Sequence, residues 1–246
     1  LYSEDGMTTA INEEKGQEAF DLLTSLFGTY SIPVTTENFF NSFRYGRIPI
    51  GISNLDTYIK LKNGAPEIAG MWDIAPSPGI MDENGVVHRD QTSAGETAVI
   101  MKRTTMKNEA WDFLKWWLST EVQEEYGFIM QTKFGPTYIW NTANEEAFQS
   151  TDIEKQHMDV IFEQWKWTYE VPLHPASYML ERELSNAWNN VVVKNREARA
   201  SLDKAVININ REMERKLQEF GYFENGQMVK PYRIASLDLI EEDGRS

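Results

Sequence analysis

The sequence predicts an α/β fold, rich in helix and with one small sheet. Two observations predict it. Most of the chain carries apolar residues at helical spacing, and the few alternating stretches are short and sit among prolines and glycines between residues 48 and 101. The size agrees. With 246 residues, 41% hydrophobic and 25% charged, the chain can bury a real core in one large domain or two small ones.

The first helix is expected over 13–28, where Ala19, Leu22, Leu23, Leu26 and Phe27 share a face and Gly28 offers a C-cap. A second lies within "TENFFNSFRYG" and ends at Gly46. "RIPIGIS" predicts a short strand at 48–53, and "NLDTYIKLKNG" a helix closed by Asn63-Gly64. Residues 64–95 hold Pro66, Pro76, Pro78 and several glycines, with strand-like pieces such as "GMWDIAP" and a hairpin turn at Asn84-Gly85. "ETAVIM", 96–101, reads as the best strand in the chain.

Then comes "AWDFLKWWLSTEVQEEYG", with three tryptophans within seven positions. It reads as two helices. Thr104 or Thr105 caps the first, and Thr120 with Gln123 fits a capping box for the second. On the first helix Ala110, Trp111, Phe113, Leu114, Trp117 and Leu118 form the stripe expected in a core, and Trp116 falls off it. Helices follow at about 120–131, 144–168, 178–195 and 200–220. The last has the cleanest stripe: Leu202, Ala205, Val206, Ile209, Met213, Leu217 and Phe220. The tail "LDLIEEDGRS" is expected to be mobile at its end.

Composition excludes several functions. A net charge of −14 lacks the basic footprint that nucleic acid or anionic lipid requires. With no cysteine there is no disulfide, thiolate metal site or thiol nucleophile. No apolar run approaches membrane-spanning length. His88, His157 and His174 show no metal-ligand spacing and read as ordinary polar residues. No phosphate loop, dinucleotide fingerprint or nucleophile elbow occurs, so no cofactor is implied. "DENG" at 82–85 opens like a calcium loop, but Ser93 stands where the terminal glutamate belongs, so it reads as a turn. Aromatics are the anomaly, with 8 Trp, 10 Tyr and 12 Phe. Each can be core, or its face can stack on a sugar ring while Asp, Asn and Arg pair with hydroxyls.

Several blocks then line up with a known family. "FFNSFRYGRIPIGISNLDTYIKLKNGAPEIAGMW", "PSPG", "AVIMKRTTMKNEAWDFLKWWLSTEVQEEYG", "KFGPTYIWNTANEEAF" and "INREMERKLQEFG" occur in the family's order over most of the chain. The sequence resembles the C-terminal half of an extracellular solute-binding protein. The family is the sugar-binding, maltose-binding-protein-like one that serves ATP-binding-cassette importers. The resemblance implies the C-terminal lobe of a two-lobe, type II periplasmic-binding-protein-like fold. Residues 1–80 and 120–246 would form lobe two. Residues 90–118 would cross into lobe one, whose remainder is expected upstream of Leu1; no export signal is visible, and Leu1 in place of methionine fits a fragment or a processed chain. The full-length protein is expected outside the cytoplasm, as a lipoprotein of a Gram-positive bacterium or in a periplasm.

The implied function is non-enzymatic: a mono- or oligosaccharide bound between the lobes and delivered to a membrane permease. Ligand contacts carry over to Ser53, Asn54, Asp56 and Tyr58. Asp56 stands where the family's best-known relative stacks a tryptophan, so stacking passes to Tyr58 or Trp72. Ser93 and Ala94 lie by the crossing strand, and Tyr178 and Arg182 in the late block "PASYMLERELSNAW". Each is equally an ordinary exposed loop residue. Tyr58, Trp72, Tyr178 and Arg182 are expected to converge on one concave surface. A single lobe is expected to bind sugar weakly, and either to self-associate through 90–120 or to fold that segment back onto lobe two. Two other readings stay open: a glycan-processing enzyme using Asp56 and Glu181, and a helical interaction domain with no small ligand.

Overall fold

The structure is a computed structural model that describes residues 1–35, 38–93 and 96–234. Among these the α-helices are α1 (Glu14–Gly28), α2 (Phe39–Arg44), α3 (Leu55–Gly64), α4 (Lys107–Trp117), α5 (Thr120–Phe134), α6 (Glu145–Gln149), α7 (Lys155–Trp165), α8 (Ser177–Val192) and α9 (Ala198–Glu219). The strands are short: β1 (Ile80–Met81), β2 (Val87–His88), β3 (Gln91–Thr92), β4 (Thr168–Tyr169), β5 (Phe223–Glu224) and β6 (Gln227–Met228). They form three separate pairs, β1–β2 and β5–β6 antiparallel and β3–β4 parallel. The chain divides into two compact units: Leu1–Thr35 with the chain from Glu170 onward, and Thr36–Tyr169.

The first unit is built on α8 and α9. Their connection is short, and hydrogen bonds from Tyr178 to Glu212 and from Asn208 to Glu183 show that they run antiparallel. The stripe expected on α9 supplies the core: Leu202, Ala205, Ile209, Met213 and Leu217 are buried, with Ile11, Phe20, Ala176, Leu180 and Ala187 around them. Burying each large aliphatic side chain is worth about 1.5–3 kcal/mol. Val206 is only partly buried, and Phe220 lies past the helix end, exposed. The N-terminal segment is tied to α9 by Thr9 N–H to Asn210 Oδ1 (2.8 Å) and Asn12 Nδ2 to Asp203 Oδ1 (3.0 Å).

His174, just before α8, is buried between the rings of Tyr2 and Tyr232, at centroid distances of 5.6 and 5.3 Å. Gly6, at φ +66°, lets the N-terminal backbone pass that cluster; a Cβ there would meet Tyr232 at 2.6 Å. His174 Nδ1 accepts the Ala176 N–H (3.0 Å), and its Nε2 has no hydrogen-bond partner among the described residues. Burial holds the imidazole below its ordinary pKa. The neutral form is therefore the folded form. Its contribution to stability is complete above the unfolded value of about 6.5 and is lost as pH falls toward the folded value. The thermal midpoint should drop between pH 7 and pH 5, and His174→Gln should flatten that drop by a few degrees.

The second unit has a core of Tyr58, Ile59, Leu61, Ala65, Ala147, Phe148 and Met158. The turn expected at Asn84-Gly85 closes the β1–β2 hairpin. Its loop spans 82–86, with Met81 paired to Val87, so it is longer than a two-residue turn. Asp82 Oδ1 organises it by accepting the N–H groups of Asn84 (2.9 Å) and Val86 (2.8 Å), and Gly85 supplies the positive φ.

Four expectations are corrected here. Segments 48–53 and 96–101 are not strands. Ile50 is 85% and Val99 73% exposed, and neither segment has a partner strand among the described residues. A strand needs a neighbour for its backbone groups and cover for its apolar face. The helix expected over 144–168 is two, because Ser150 and Thr151 turn their hydroxyls onto the carbonyls of Ala147 and Phe148 and end α6. The capping box does not form. Ser119 is the N-cap of α5, Thr120 bonds Glu146 (3.0 Å), and Gln123 is buried elsewhere. Finally, no residue of α4 is buried: Trp111 is 55% exposed, and Phe113 and Leu118 are exposed as well. The stripe exists, but only its middle is partly covered: Leu114 and Trp117 are half-buried, Trp117 edge-on to Tyr126 of α5 at 5.2 Å. The tail from residue 235 lies outside the described residues.

Candidate functional site

In the second unit the start of α3 gathers three of the expected residues. Asn54 is the N-cap, its Oδ1 accepting Thr57 N–H (3.2 Å), and the Ser53 hydroxyl donates to Thr57 Oγ1 (2.7 Å). Asp56 stands exposed in the first turn, where the helix dipole favours a carboxylate. The three form an open polar surface suited to hydroxyl groups.

Tyr58 lies on the other side of that helix. Two residues from Asp56 is about 200° of rotation, which turns the ring into the core, 6% exposed. Its hydroxyl pairs with His157 Nδ1 at 2.9 Å, and burial raises its pKa. In this conformation the ring is not open to a ligand. Trp72 is half-buried and lies nearly parallel to the His157 imidazole, at 5.8 Å and 21°, and edge-on to Tyr58 at 5.6 Å. Ser93 is exposed just after β3, its N–H reaching the Tyr169 carbonyl (3.3 Å). Ala94 lies outside the described residues.

The other two expected residues belong to the first unit. Tyr178 and Arg182 sit one turn apart on α8. Tyr178 donates to Glu212, which also takes Arg215 Nε (2.8 Å) and Nη2 (2.6 Å). Arg215 first, then Tyr178, lowers the Glu212 pKa to about 2. The exposed Arg182 contacts Glu183 through Nε (3.4 Å) and the Met179 sulfur through Nη2 (2.9 Å). Asp56 and Glu181 likewise fall in different units.

Sequence reasoning passed over His157 and Asp73, which join Tyr58 and Trp72 through hydrogen bonds and ring contacts. The one signal for them was Asp73 directly after Trp72; nothing local marks His157. Each unit also has a cavity of its own. One of about 450 Å³ runs along α5, with Phe128, Tyr138 and Trp140 beside Glu121, Glu124 and Gln131. The other, about 490 Å³, is polar and lies between α8 and α9 around Glu183 and Asn208. Both are within the range of small-molecule sites.

No protein-family model matches the chain, and no curated protein matches it in sequence. A solved structure does match in fold. It is an ABC transporter solute binding protein from Thermotoga lettingae TMO, bound with α-D-tagatose. The TM-score is 0.58 at 18% identity, over 87% of this chain and 53% of that one. In fold, the chain is similar to a solute-binding protein. It spans about half the length of the structure it matches.

Proposed function

We propose that this chain is the sugar-binding C-terminal lobe of an extracellular solute-binding protein, which delivers a mono- or oligosaccharide to the membrane permease of an ATP-binding-cassette importer. The observation that carries the reading is the fold shared with a sugar-bound protein over 87% of the chain. The chemistry supports it: an indole with open surface at Trp72 and a polar turn at Ser53, Asn54 and Asp56 are what a sugar's C–H face and hydroxyls need. In this scheme residues 1–80 and 120–246 are lobe two, and 90–118 cross to lobe one. Ser93, Ala94, Tyr178 and Arg182 are further ligand contacts of the whole protein in this reading. That protein works outside the cytoplasm, as a lipoprotein or in a periplasm. Equilibrium dialysis against labelled mono- and oligosaccharides tests the reading. Sugar retained and recovered unchanged supports a binder, whereas turnover supports the carboxylate-pair enzyme.

The exposed apolar side chains of α4 have a consequence in this reading. Trp111, Phe113, Trp116 and Leu118 are exposed together with Val99 and Met101, an apolar display that a monomer in water seldom leaves bare. In the whole protein lobe one covers it. The chain alone is expected to self-associate through 90–120, and Trp111→Ser with Phe113→Ser should return it to monomer. Light scattering checks this; a monomeric parent chain at high concentration would contradict it.

A further inference from the structure

Trp72 and Asp73 lie between a single 3-10 turn, Pro66–Ile68, and β1, without regular backbone structure to hold them. A loop indole can serve as a stacking platform only if it is held, because ordering it at the moment of binding costs affinity. Resting on the sugar-binding reading, we propose that His157 is the positioning residue of this site: its imidazole fixes the Trp72 ring and the Asp73 carboxylate together, as a stack and an acceptor for one ligand.

The geometry has three parts. The imidazole backs one face of the indole, at 5.8 Å and 21°. Its Nε2 lies 3.1 Å from Asp73 Oδ1, and its Nδ1 lies 2.9 Å from the Tyr58 hydroxyl. A neutral imidazole satisfies both if Tyr58 donates to Nδ1 and Nε2–H donates to Asp73. Tyr58 and His157 are buried on α3 and α7, so the hydrogen-bond chain is anchored in the core at one end. The other end is a carboxylate 64% exposed. Its Oδ1 also accepts the Ile74 N–H (2.8 Å), so among the described residues both of these hydrogen bonds fall on Oδ1. One imidazole thus sets the distance between an aromatic face and a hydroxyl acceptor.

Glu154 and Asp152 act on the Tyr58 hydroxyl, and Asp152 is paired with Lys62 (3.1 Å). On α7 itself Lys155 pairs with Asp159 at the surface (3.4 Å).

The test reads Trp72 itself. Its emission is the difference between the wild-type chain and Trp72→Phe. In His157→Gln, at unchanged circular dichroism, this emission should become more accessible to acrylamide. His157→Phe keeps the packing and loses both hydrogen bonds; its indole should stay shielded while D-tagatose binding weakens, and it stands in if the glutamine variant does not fold. D-Tagatose binding, followed on the same chains, should weaken about tenfold in His157→Gln, the scale of one side chain left unordered. Trp72 emission with the same accessibility in His157→Gln as in wild type overturns the proposal, as does unchanged affinity. A wild-type chain that binds no sugar contradicts the sugar-binding reading instead, and the spectral result still decides the role of His157.

Discussion

Replacing Phe148 with alanine is expected to destabilise the 36–169 unit by about 3–5 kcal/mol. Phe148 comes from the short helix α6, yet it has no exposed surface. Its ring lies 4.7 Å from Trp165 and 6.0 Å from Phe162, and those two meet edge-to-face at 5.3 Å. The three form one aromatic cluster between α6 and α7. Truncation removes the transfer free energy of a phenyl ring and leaves a void that two large, rigid neighbours cannot collapse into. Urea denaturation followed by tryptophan fluorescence measures it. Phe148→Leu should recover a substantial part of the loss. A Phe148→Ala chain within about 1 kcal/mol of wild type would mean that this cluster is not the core of the unit.

Gln123→Ala is expected to cost about 2–4 kcal/mol, from a polar rather than an apolar cause. The side chain is 3% exposed. Its Nε2 donates to the Trp117 carbonyl (2.7 Å), and its Oε1 accepts from Trp140 Nε1 (2.7 Å) and Thr142 Oγ1 (2.7 Å). One amide thus satisfies the end of α4 and two donors of the 138–142 segment. Removing it takes this partner from the Trp117 carbonyl, the Trp140 N–H and the Thr142 hydroxyl, whose oxygen keeps the Asn144 N–H (3.0 Å); each donor or acceptor left bare costs about 1–3 kcal/mol where water cannot replace it. Part of the loss is offset by water, because the cavity along α5 borders Gln123. Gln123→Glu separates the two halves of the network. The carboxylate still accepts from Trp140 and Thr142 but cannot donate to Trp117, so it should fall between wild type and alanine near neutral pH.

How much of this was legible beforehand depends on whether the signal was local. The α9 stripe was, because Leu202, Ala205, Ile209, Met213 and Leu217 repeat at a spacing only a helix brings to one face, and all five are buried. The 82–86 turn was, because Asp82 and Gly85 act within their own five residues. The strands were not. "ETAVIM" has the composition of a strand, but pairing depends on a neighbour, and none is present among the described residues. Gln123 shows the same limit: its spacing from Thr120 imitates a cap, and a tertiary partner, Trp140, claims it. In the candidate site, the polar start of α3 could be read from sequence. The inward turn of Tyr58 and the link from His157 to Asp73 could not, since they join residues 84 and 99 positions apart.

The central claim is that this chain holds part of a sugar site. Isothermal titration calorimetry of the chain with D-tagatose and a panel of mono- and oligosaccharides tests it most directly. Complete two-lobe sites of micromolar affinity correspond to about −8 kcal/mol, and half of such contacts to about −4 kcal/mol, a dissociation constant near 1 mM. Saturable binding in the millimolar range, abolished by Trp72→Ala, is the predicted result. No saturable heat with any sugar up to about 50 mM, well above that constant, would contradict the sugar-binding reading, and sub-micromolar binding would contradict the claim that the site is only partly present.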